Sequence, residues 1–65
     1  MGYKKYSYVE MAEEMVDKIR EGKIQNRNTA YRELVTIKNE WSGYQVADDA
    51  EYLIDTYYSD LKYNS

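Results

Sequence analysis

Carboxylates and phenols are the reactive groups this chain has in number. It carries twelve Asp and Glu and nine Tyr in 65 residues, with no His and no Cys. The densest cluster is near the C-terminus, where Asp48, Asp49, Glu51, Asp55 and Asp60 alternate with Tyr52, Tyr58 and Tyr63. Ionised carboxylates only accept hydrogen bonds, and a Tyr ring offers its face to a cation, so this mixture is suited to gripping Arg and Lys on another molecule. These eight residues form the expected partner-binding surface. Glycoside hydrolysis by a carboxylate pair would need a cleft of several hundred Å³, which a chain this short rarely encloses. The spacing of Asp48, Asp55 and Ser59 does not resemble the loop-borne oxygen cage that calcium prefers.

The absent residues narrow the chemistry further. Without His there is no side chain that ordinarily titrates near neutral pH, and without Cys there is no thiolate nucleophile, disulfide or Cys-based zinc site. Gly2, Gly22 and Gly43 are isolated, so no glycine-rich loop cradles a phosphate. No catalytic residue, metal ligand or cofactor is assigned. A non-enzymatic protein is expected.

A second cluster has the opposite sign. Residues 1–5 carry +2, 6–17 carry −4, 18–32 carry +4 and 33–65 carry −5, for a net charge of −3. The basic block consists of Lys18, Arg20, Lys23, Arg27 and Arg32. It surrounds the link between two expected helices, which raises an alternative reading as a small dimeric DNA-associated regulator. Against it, the link of about six residues exceeds the three or four usual in a helix-turn-helix, and Glu33 and Glu40 would repel phosphates. Helix dipoles alone also draw acids to helix starts and bases to helix ends.

Three amphipathic segments must position these clusters. Tyr8, Met11, Ala12, Met15, Val16 and Ile19 share one stripe at 3.6-residue spacing, which predicts a helix over about 7–21. Ser7 with Glu10 would cap it, Tyr6 would staple onto Met11, and Gly22 would stop it. Ala30, Leu34, Ile37 and Trp41 predict a second helix over about 29–41, capped by Asn28 or Thr29, and Ile24 in the link would fold back on the core. Ala50, Leu53, Ile54, Tyr57 and Leu61 predict a third over about 49–62, with Asp48 and Glu51 as a capping box. Tyr8, Tyr31, Tyr57 and Trp41 lie on these stripes and are expected in the core or at a dimer seam.

The expected architecture is therefore all-α: a small three-helix bundle forming one domain over 1–65. For a chain of this size burial and ordering entropy nearly cancel, so an intertwined or side-by-side homodimer is expected to add buried area. No segment approaches the roughly 20 consecutive apolar residues that span a bilayer, and no signal-peptide run precedes Glu10, so a cytoplasmic location is expected.

In length, acidity and Tyr content the chain resembles the short proteins with which bacteriophages and mobile elements block host enzymes and defence systems, CRISPR nucleases among them. That resemblance implies an inhibitor that occludes a host or phage protein bearing a basic surface.

Overall fold

The computed structural model describes the backbone of residues 2–64 and the side chains of residues 8–63. Four helices make up the described chain, with no strand: α1 (Gly2–Arg20), α2 (Arg27–Glu40), α3 (Gln45–Tyr57) and α4 (Ser59–Asn64). The expected all-α bundle is what the chain adopts. Its core is built from the predicted stripes together with Val46: Ala12, Val16 and Ile19 of α1, Ala30, Leu34 and Ile37 of α2, and Val46, Ala50, Leu53 and Ile54 of α3 close on one another. Ile24, between α1 and α2, packs against this cluster. No polar side chain is buried among the described residues, so the bundle is held by apolar packing without internal ion pairs.

The first link follows from Gly22. Its φ of 81° lies in the left-handed region, the Gly22 amide donates to the Ile19 carbonyl, and the Lys23 amide donates to the Lys18 carbonyl. That pair of bonds is a Schellman ending, which the glycine enables. α2 begins two residues earlier than expected because Asn26, rather than Asn28 or Thr29, supplies the cap: its side-chain oxygen accepts from the Thr29 amide at 3.0 Å. The second link is a β-turn in which the Tyr44 amide donates to the Trp41 carbonyl. Gly43, at its third position, has φ 95°, the requirement of a type II turn.

Two further helix starts differ from the periodicity reading. α1 starts at Gly2, so Ser7 lies inside the helix and not at its cap; the expected Tyr6 staple falls outside the described side chains. α3 starts at Gln45, and Asp48 lies in its first turn instead of forming a capping box with Glu51. Burial explains this, because Val46 and Ala47 extend the α3 stripe by one turn and are themselves buried.

The expected third helix is also broken after Tyr57. Arg27 Nη2 donates to the Tyr57 carbonyl at 2.8 Å, occupying the oxygen that would accept from Leu61 in a continuous helix. The Leu61 amide turns to the Tyr58 carbonyl instead. The same guanidinium meets Asp60 with two bonds, Nη1 to Oδ2 at 3.0 Å and Nη2 to Oδ1 at 2.8 Å, and stands 5.3 Å over the Tyr58 ring. One Arg at the start of α2 thus contacts both sides of the break between α3 and α4.

No helix among the described residues is long and apolar enough to cross a membrane.

Candidate functional site

Ion pairing redistributes the charge that the sequence displays. On α3 the outward stripe carries Asp48, Glu51, Tyr52 and Asp55, all exposed, as helical spacing dictates. Glu51 forms an ion pair with Lys38 Nζ at 3.1 Å, and Asp55 accepts from Lys62 Nζ at 3.1 Å. Half-buried Asp49 accepts from the Gln45 amide group at 3.1 Å. Asp60 and Tyr58 do not join this face: Asp60 faces Arg27, and half-buried Tyr58 packs on the core beneath the same guanidinium. Tyr63 is exposed, with the Lys62 ammonium 6.0 Å from its ring centre. Four of the eight expected partner-binding residues therefore share one surface, and two of those four already hold a cation.

The pairings leave electrostatic traces. Hydrogen bonds from Arg27 hold the Asp60 carboxyl below its ordinary value of 3.8, and Asp60 in turn raises Arg27. A hydrogen bond to Asp55 raises Lys62. All three side chains face solvent, where such pairs add little to stability.

The basic block is similarly occupied. Arg20 pairs with Asp17 at 3.1 Å, Lys23 with Glu21 at 3.1 Å, and Arg27 with Asp60. Lys18 and Arg32 remain without an ion pair among the described residues. Three of the five expected phosphate contacts are thus neutralised within the chain.

Among the described residues, carboxylates without a cation partner and exposed apolar side chains meet elsewhere, between α1 and α2. Ala12, Val16 and Ile19 bury one edge of the α1 stripe, but the other edge finds no cover. Met11 is 63% exposed and Tyr8 60%, while Met15 is half-buried. These three side chains wall a groove of about 450 Å³ whose floor is Ala12, Ile37 and Trp41. The opposite wall is the outer edge of α2, with Glu33, Thr36 and Glu40. By helical spacing Lys18 and Glu14 come next around α1 beyond Met11 and Met15, and Glu10 follows them. Neither these four glutamates nor Glu13 pairs with a described cation.

Tyr8 and Met11 share the stripe of α1 yet lie outside the core of the single chain; for Tyr8 the other expected place is a dimer seam. Tyr57 is likewise 61% exposed, because α3 ends there, so of the stripe aromatics Tyr31 and Trp41 alone pack against the core. Six apolar positions over residues 8–19 are what an ordinary core-facing helix carries, so the stripe alone gives no local signal of the groove. The Trp41 ring meets Tyr44 edge to face at 5.3 Å, which braces the floor.

Among the described residues no group of three or more potential metal ligands converges. Fold and surface together define a small helical bundle with an acid-rimmed apolar groove. Compared with known proteins, the chain matches no protein family, no curated protein and no solved structure.

Proposed function

We propose that this chain acts by binding another protein that presents a cationic surface, and that it works by covering that surface. The observation that carries this reading is the α1/α2 groove, where exposed Met and Tyr side chains lie beside carboxylates that no described cation neutralises. Contiguous exposed apolar surface with a polar rim is the usual form of a protein contact, and charge complementarity selects which partner approaches. The outward stripe of α3, with Tyr52 at its centre, would extend the same negative field. Enzymes that handle nucleic acid carry basic surfaces by necessity, so a host defence or nucleic-acid enzyme is the proposed target, and a phage or mobile element the proposed source.

Affinity capture from source cells, with three variants compared, tests the reading. Glu33→Lys with Glu40→Lys alters the groove, Asp48→Lys with Asp55→Lys alters the α3 stripe, and Lys18→Glu with Arg32→Glu alters the basic side. Capture should be lost in the groove variant and weakened at most severalfold in the α3 variant. Capture that survives groove charge reversal and fails on reversal of Lys18 and Arg32 contradicts the proposal and favours an anionic ligand such as DNA.

A further inference from the structure

We infer that the α1/α2 groove receives one amphipathic, cationic α-helix of the partner protein, an inference that rests on the groove being the binding surface proposed above. Its dimensions suit a helix. Tyr8, Met11 and Met15 follow i, i+3, i+7 spacing and span about 10 Å of α1, roughly two helical turns. The groove volume of about 450 Å³ is some three times the ~150 Å³ that encloses one benzene ring, which leaves room for three apolar anchors from one face of an incoming helix.

Backbone chemistry argues against strand addition, another common peptide geometry. The groove walls are helices whose amides and carbonyls are already bonded, and the described residues include no strand edge on which an extended peptide could add a strand. A segment entering an apolar groove must then satisfy its own backbone, which a helix does internally. The polar groups at the rim set the charge of the occupant. Glu33 and Glu40 are acceptors only, so Lys or Arg must flank the apolar anchors. Met11 and Met15 are unbranched and adaptable, which permits anchors of differing shape.

A second copy of this chain fits poorly. Groove against groove would bring two sets of Glu33 and Glu40 into one contact, in a protein already at −3.

Trp41 is the sole Trp of the chain and lies on the groove floor, so its emission reports occupancy. The probe is a synthetic peptide of roughly 14 residues, with Leu at i, i+3, i+4 and i+7 and the remaining positions Ala and Lys, free of aromatic residues. A peptide this short is barely helical alone, so it also reports folding on binding. The expected result is a blue shift of Trp41 emission that saturates, with a gain in helical circular dichroism. Affinity should fall at least tenfold in Glu33→Lys with Glu40→Lys and in Met11→Gln, and stay within twofold in Gln25→Ala, at an exposed position of the link between α1 and α2.

No response to this peptide overturns the inference. So does an equal response to a scrambled sequence of the same composition or to a version with Glu replacing Lys, and so does binding without helix gain. Sedimentation showing a dimer that Met11→Gln dissociates also overturns it, by placing a second copy in the groove. If the peptide fails while capture from cells still depends on Glu33 and Glu40, the helical occupant is refuted and the binding surface stands. If capture ignores those residues, both fall.

Discussion

Leu34 and Met11 lie on apolar stripes of neighbouring helices, yet truncating them should have very different consequences. Leu34 is wholly buried, in contact with the cluster from all three long helices, whereas Met11 is 63% exposed. Leu34→Ala removes a side chain whose site cannot collapse freely, at a cost of about 2–5 kcal/mol. A 65-residue domain has only about 3–10 kcal/mol of stability in total, so that loss takes a large share or all of it. Near ~4–8 °C per kcal/mol for a domain of this size, the melting temperature should fall by at least about 10 °C. Complete burial of a Met stabilises by about 1.5–3 kcal/mol, and Met11 is little more than one-third buried, so Met11→Ala should cost about 0.5–1 kcal/mol. Alanine's better helix propensity returns a few tenths of that, leaving a shift under about 5 °C. Thermal and urea unfolding followed by far-ultraviolet circular dichroism measure both variants side by side. Comparable destabilisation by the two would refute the reasoning, because it would mean that Met11 is covered in solution and the groove is not open.

The remaining expectations concern the ends of helices. Asn26→Ala removes the oxygen that accepts from the Thr29 amide and should destabilise by about 0.5–2 kcal/mol in urea titrations, while Asn28→Ala should change little. Hydrogen bonds from Arg27 hold Asp60 below 3.8, so its contribution is complete above that value and is lost as pH falls through the lower folded midpoint. Carboxyl carbon resonances should show the Asp60 midpoint rising towards 3.8 in Arg27→Ala; an unmoved midpoint rules out the bidentate contact. The same substitution frees the Tyr57 carbonyl, and amide exchange should quicken across α4 while the core of α3 stays protected.

Periodicity revealed most of this fold because the information is local. The α3 stripe of Ala50, Leu53 and Ile54, the Gly22 ending and the return of Ile24 to the core depend on residues within a turn or two of one another. What it missed depends on long-range neighbours. At the break after Tyr57 the carbonyl accepts from Arg27, thirty residues earlier in the chain, and no local pattern marks that contact. The early start of α3 reflects burial of Val46 beneath other helices, which outweighs the capping potential of Asp48. The charge clusters were legible as clusters, but their pairing was not: Lys38, Lys62 and Arg27 reach Glu51, Asp55 and Asp60 from other elements. The groove escaped for the same reason, since a stripe shows which side chains are apolar and not how many a neighbour will cover.

Tyr8 and Tyr52 permit the most direct test of where a partner sits, because they are almost equally exposed, at 60% and 64%, on different faces. Tyr8 walls the α1/α2 groove, and Tyr52 lies on the outward stripe of α3. A photo-crosslinking phenylalanine analogue placed at each position in turn, and irradiated in source cells, compares the two surfaces without altering charge. A covalent adduct to one protein from position 8, absent or much fainter from position 52, is the predicted result. Crosslinking from position 52 with none from position 8 would contradict the assignment of the groove as the binding surface.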